Sequence, residues 1–178
     1  MNRYHYTDGL QSQRLSTRFL TVSDAESWCE FFESPEAVKL HPPSSFKNLQ
    51  QRSEAWIEHQ LNRYRDRHYG LQALALKSTG EIIGQCGLLR QEIDGATELE
   101  VGYHVLHKHW GKGYAPEAAR LFVNYAFHNK LNDSVIALID VRNANSVRVA
   151  EKLGMHLDKH VQRRGNDTYV FRITAADW

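Results

Sequence analysis

The chain has 178 residues, 42% of them hydrophobic, which suffices for one domain with a full core and is too little for two comfortable ones. With 22 basic and 21 acidic residues its formal net charge is +1, so no global field calls for a nucleic-acid or membrane partner. Cys29 and Cys86 stand in no metal or disulfide spacing, Met1–Tyr6 lacks an apolar signal core, and no run reaches the roughly 20 apolar residues of a membrane span, so a reduced, cytoplasmic setting is expected.

Residues 14–22 alternate as a first strand. Ser23 or Asp24 is placed to cap a helix running to about Glu33, with Trp28, Phe31 and Phe32 on its apolar side. His41-Pro42-Pro43-Ser44-Ser45 breaks helix and predicts a loop. A second helix is predicted from about Gln50 to Arg67, carrying Ala55, Trp56, Ile57, Leu61 and Tyr64 as an imperfect stripe. Two β runs, Leu71–Lys77 and Glu81–Leu89, flank Ser78-Thr79-Gly80 as a hairpin. Strand 98–105 follows, then a helix from about Pro116 to Asn129. Val135–Val141 reads as a buried strand, a helix starts near Asn143 and ends at Gly154, and closing strands are predicted near 156–163 and 167–174. The expectation is a single α/β domain whose late β-α-β part lies parallel in one sheet. The basic clusters Arg63–Arg67 and Arg163-Arg164 read most simply as solvated surface.

The most informative stretch is residues 98–119, from Glu98-Leu99-Glu100-Val101-Gly102-Tyr103-His104-Val105 through Trp110-Gly111-Lys112-Gly113-Tyr114-Ala115-Pro116. An alternating strand delivers a glycine-rich loop to a helix start. The first N–H groups of that helix lack partners within it, and its dipole is positive there, so the loop is a site for a phosphate or pyrophosphate. Gly111 and Gly113 allow a close backbone approach, Lys112 adds charge, and Pro116 suits a first helical turn.

Three glycine-loop chemistries compete. A nucleotide P-loop requires Gly-Lys followed by Ser or Thr, whereas Lys112 is followed by Gly113. A dinucleotide fingerprint requires a third glycine where this chain has Pro116. In the third, Trp110-Gly111-Lys112-Gly113-Tyr114-Ala115 closely resembles the coenzyme A pyrophosphate loop of the GNAT acetyltransferase superfamily, in its RimJ/RimL-like subgroup that acetylates ribosomal-protein N-termini. Glu100-Val101-Gly102-Tyr103 resembles that subgroup's fourth strand, and Asn143–Met155 its following helix motif. The resemblance covers roughly residues 14–173. Trp110 replaces the Gln or Arg of the broader superfamily, as is common in the subgroup. Ala150 stands where many members carry a tyrosine general acid, so that role does not transfer to it.

The resemblance implies a mostly antiparallel sheet of about seven strands flanked by about four helices. It implies acetyl transfer from acetyl-CoA, as co-substrate, to an amine by direct attack, with no metal. A protonated amine needs a base. By alternation Glu98, Glu100, Gly102 and His104 share one strand face. Glu100 occupies the motif position and is the candidate base, with Glu98 behind it, and both also read as solvated strand carboxylates. A main-chain N–H around Tyr103, His104 or Val105 is the candidate donor to the thioester oxygen. Ser146, in the subgroup's Asn-x-x-Ser motif, is the candidate proton donor to the leaving thiolate, although a first-turn serine also ordinarily serves the backbone. Asn143 is both an N-cap and, by resemblance, a pantetheine contact. Trp110, Gly111, Lys112, Gly113, Tyr114 and Ala115 complete the expected coenzyme site. Arg148 meets coenzyme phosphates or water, and Glu117 complements the helix dipole.

The family builds its acceptor cleft near Leu40–Phe46, which makes His41, Phe46 and Tyr69 candidate acceptor contacts. His104, His107 and His109 cluster in sequence, but neither His-Glu-x-x-His nor Cys-x-x-Cys spacing supports a metal. The expected partner is an amine, such as a ribosomal-protein N-terminus or a small molecule, with a monomer or homodimer as the assembly. The rival from another class is a non-catalytic acyl-CoA-binding module, which would keep the loop without needing Glu100 and Ser146.

Overall fold

In the computed structural model, which describes residues 6–41 and 45–178, the apolar periodicities of the chain resolve into one layered α/β unit. The elements in order are β1 (Leu15–Arg18), α1 (Asp24–Glu33), the single-turn α2 (Pro35–Val38), α3 (Leu49–Arg65), β2 (Leu71–Leu76), β3 (Ile82–Ile93), β4 (Ala96–Val105), α4 (Tyr114–His128), β5 (Ser134–Asp140), α5 (Ala144–Lys152), β6 (His156–Arg163) and β7 (Asn166–Thr174). They build a seven-stranded sheet in the order β1-β2-β3-β4-β5-β7-β6. Every neighbouring pair is antiparallel except β4 and β5, which run parallel.

The two faces of the sheet bury different helices. Ala118, Ala119, Phe122, Val123 and Ala126 of α4 are fully buried against Leu88, Leu99 and Val101. Burying a side chain of the size of Phe122 contributes about 1.5–3 kcal/mol. On the opposite face Trp28, Phe31 and Phe32 of α1 and Ile57 of α3 pack on Ala73 and Leu106. No described helix is long and apolar enough to cross a membrane.

Several boundaries differ from the sequence expectation for local reasons. β1 stops at Arg18 rather than continuing to residue 22, because Arg18 turns its guanidinium onto Asp24 at 2.6 and 2.8 Å. Ser23 stands at the N-cap of α1 without a side-chain cap bond, and Asp24 instead accepts the Thr21 N–H at 2.7 Å. The short α2 was not anticipated; Ser34 caps it by accepting the Ala37 N–H, and Pro35 fills its first position. α4 begins at Tyr114, two residues before Pro116. In the expected loop 41–45, residues 42–44 lie outside the described residues, while His41 and Ser45 belong to no helix or strand.

Asp24 joins β1 to α1. Burial pushes its carboxyl up, but the Arg18 and Thr21 bonds outweigh this and hold it below the ordinary range. Asp24→Ala strands the Arg18 guanidinium and the Thr21 N–H, so it is expected to lower unfolding free energy by about 1–3 kcal/mol in urea titration.

Candidate functional site

β4 is laddered to β3 along its length, from Ala96 opposite Ile93 to Val105 opposite Gly84. On its other edge it pairs with β5 only where Glu100 meets Ile136. Beyond that point the strands part, and residues 101–105 face an opening instead of a neighbouring strand. The glycine loop lies at the far end of this opening, after a 3-10 turn over His107–His109.

Gly111 and Gly113 have φ of 76° and 79°, the left-handed region where a Cβ is strained. A Cβ on Gly111 would meet no atom within 4 Å, so the loop leaves open space there. The N–H groups of residues 111–115 find no acceptor among the described residues, and Gly113 at the N-cap of α4 offers no side chain to satisfy them. These donors, together with the helix dipole, fit a diphosphate. Trp110 braces the loop by donating its indole N–H to Val105 O at 2.8 Å, and its ring meets His107 edge-on. Arg14 reaches in from the start of β1, donating to Lys112 O at 3.0 Å and lying over the Tyr114 ring at 4.5 Å. The same arginine pairs with Glu117 at 2.6 Å, and Ser12 also bonds that carboxylate. Glu117 is therefore turned toward β1. Burial raises its pKa, but the Ser12 and Arg14 bonds win and keep it below the usual range.

The two strand carboxylates share a face, as alternation requires, and meet different environments. Glu98 is held by both Nη atoms of Arg172 at 2.7 and 3.0 Å, so that both of its oxygens accept from one guanidinium. Glu100 sits at the fork, 9% exposed, and accepts from Gln91 Nε2 at 2.6 Å and from the Leu138 N–H of β5. Burial drives its pKa up against the pull of Gln91, Arg163 and Arg63. A carboxylate with a raised pKa in a cleft suits proton abstraction near neutral pH.

Tyr103 lies on the opposite face of β4. Burial raises its pKa, keeping the phenol neutral, and its hydroxyl donates to Ser146 O at 3.1 Å. That bond docks the first turn of α5 against the opening. Asn143 caps the helix by accepting the Ser146 N–H at 3.1 Å. The Ser146 hydroxyl has no bond among the described residues and is half-buried. Ser146 thus stands in the first turn of α5 on the Tyr103 side of β4, the side away from Glu100. Ala150 is fully buried on the inner side of α5, and Arg148 bonds Asn145 at the surface.

The His104 side chain does not join the loop. Its ring enters an aromatic cluster with Trp56 at 5.2 Å and with Phe31 and His41 at 5.5 Å. In the ladder with β3 it stands opposite Gln85. Burial, then the neighbouring His41, pushes its pKa down to about 3. Tyr69 is a core residue, 2% exposed, which corrects its expected role as an acceptor contact; Phe46 is exposed. Among the described residues no three His, Cys, Asp or Glu side chains converge as a metal site needs. Gln91, Arg63 and Arg163, which act on Glu100, carry no signal in the sequence because they lie on other elements at separations that follow no spacing rule.

The model of the Acetyltransferase (GNAT) domain matches residues 14–156. The Bacillus subtilis (strain 168) protein YkkB is 38% identical over 142 residues, covering 79% of this chain and 80% of its own. An acetyltransferase from Agrobacterium tumefaciens str. C58 superposes with a TM-score of 0.77 at 27% identity, over 97% of this chain and 98% of that one. Mycobacterium smegmatis RimJ, solved with CoA-disulfide, shares the fold at a TM-score of 0.76 and 18% identity, over 91% and 82% of the two chains.

The buried histidines make stability depend on acid. His104 binds its proton at about 3 when folded and at its ordinary 6.5 when unfolded, and His41, lowered by burial and then Arg52, acts in the same direction. Their contribution is complete above the unfolded value and is lost as pH falls toward the folded one. Urea unfolding at about pH 7 and about pH 5 is therefore expected to show a smaller acid loss for His104→Phe than for the native chain.

Proposed function

The chain belongs to the GNAT acetyltransferase family, and from that premise we propose that it moves an acetyl group from acetyl-CoA to a primary amine by direct attack. The parting of β4 from β5 beside a loop of unsatisfied N–H groups is the observation that supports this reading most. Acetyl-CoA supplies the acetyl as an activated thioester. Residues 110–115 hold its diphosphate through main-chain donors, with Lys112 adding charge and Trp110 fixing the loop to the strand end. Asn143 sets the start of α5 where a pantetheine contact is expected.

Glu100 takes the proton from the ammonium or the attacking nitrogen. The nitrogen lone pair forms the new C–N bond. Main-chain N–H groups around Tyr103, His104 and Val105 donate to the oxygen that gains charge. The C–S bond then breaks, and Ser146 hydrogen-bonds or protonates the departing sulfur. The RimJ/RimL resemblance makes protein N-termini, including those of ribosomal proteins, the first acceptors to test.

The test is free-thiol release from acetyl-CoA across amines and N-terminal peptides. Release with at least one amine is expected; coenzyme binding without release from any of them would return the chain to a non-catalytic acyl-CoA module. Gly111→Asp keeps a residue that tolerates φ of 76° and meets no atom within 4 Å, yet brings a negative charge to the diphosphate. Its KM for acetyl-CoA is expected to rise about tenfold or more with little change in Tm. Glu100→Gln is expected to lower kcat by about 10²–10⁴. Because the native carboxylate must be ionised to act, native kcat rises with pH through its raised pKa, and the variant loses that limb in a pH-rate profile.

A further inference from the structure

The two basic clusters that read as separate surface patches in the sequence meet beside Glu100. His59 and Arg63 are one turn apart on α3, while Arg163 ends β6 and Arg164 lies in the turn to β7. Arg163 Nη2 donates to Gln91 Oε1, and Gln91 Nε2 donates to Glu100 at 2.6 Å, so a continuous bonded path links β6 to the candidate base. Arg63 donates its Nε to Tyr69 O at 2.7 Å from the α3 side. The charges of Arg63 and Arg163 both act on Glu100, and those of Arg63 and Arg164 both act on His59, so the two clusters lie within electrostatic reach of the same side chains.

Among the described residues Glu100 is the one carboxylate whose charge acts on both Arg63 and Arg163, and it forms no direct ion pair with either. Arg14, Arg18, Arg142 and Arg172 each have a carboxylate within 3 Å. Among the described residues none lies within 4.0 Å of Arg63, Arg163 or Arg164. Arg63 and Arg163 are half-buried. Holding like charges together with partial loss of water is unfavourable, and their fixed forks of N–H donors are suited to a planar anion. The coenzyme does not account for them. Its loop follows Val105, and Glu100 lies five residues back along β4, about 16 Å at strand rise.

We propose that Arg63, Arg163 and Arg164 form a subsite for a carboxylate carried by the acceptor, so that the enzyme prefers amines bearing a carboxylate over polyamines and amides. The proposal rests on the acetyl-transfer reading for Glu100. The carboxylate has two sources, the main chain of a free amino acid or an acidic side chain of a peptide N-terminus. Arg63 and Arg163 grip it from opposite walls and leave the amine to Glu100. A polycation meets like charge at the same mouth.

The test compares matched pairs: a free amino acid against its amide, an Asp-containing dipeptide amide against its Asn counterpart, and spermidine. Thiol release is expected to favour the acid member of at least one pair by about tenfold in kcat/KM, the pair identifying the source, with spermidine poor. Arg163→Gln and the separate turn variant Arg164→Gln, which breaks no bond to Gln91, are expected to shrink that ratio with KM for acetyl-CoA unchanged. Calorimetry with the N-acetylated acid and its amide reads the subsite without turnover. Tighter binding of the acid, lost in both variants, supports it. Equal use and equal binding of acid and amide, or a preference that survives both variants, overturns it. No thiol release together with acid-selective binding would sink the acetyl-transfer reading and leave the anion subsite standing.

Discussion

A β-strand held on one edge and released on the other is the constraint on which this molecule is organised. The β3 ladder fixes β4 along its whole length, so its position is not negotiable. The parallel pairing with β5 ends after Glu100 and Ile136. Backbone groups that would ordinarily bond a neighbour are left facing a gap, an unfavourable state for a buried strand unless something else enters. Part of the demand is met from within: Leu138 turns its N–H toward the Glu100 side chain, and Trp110 gives its indole N–H to Val105 O. The loop at the strand end and the first turn of α5 then bound the opening at its far end and on the face opposite Glu100.

Charge is distributed with equal economy. A net charge of +1 conceals strong local contrasts. Glu117 would weaken an anion site at the start of α4, but Arg14 and Ser12 draw it toward β1. Glu98 and Glu100 are two residues apart on one face and end in opposite states, one locked to Arg172 and the other buried with a raised pKa.

Much of this was open to inspection in the primary structure. The alternation of 98–105, the two glycines and the helix that follows are local signals, governed by contacts a few residues apart. Asn143 as a cap and the burial of Trp28 and Phe31 follow from the same short-range rules. The alanine at position 150, where the resemblance places a tyrosine, was likewise visible, and the structure buries it fully on α5. What escaped were pairings across the sheet. Nothing near Glu98 announces Arg172, and nothing near Glu100 announces Gln91 or Arg163. His104 looked like a companion of the loop, whereas alternation combined with the packing of α1 and α3 sends its ring into the aromatic cluster.

The order of residues alone therefore determined most of the elements, the glycine-rich loop and the family likeness, because backbone geometry and hydrophobic period act over short spans. Which partners each carboxylate meets, where the sheet opens and which elements the distant arginines approach were decided only on folding. Those outcomes depend on register and on side chains brought together from strands and helices far apart in the chain, and electrostatic interactions are set by distance in space rather than by separation in sequence.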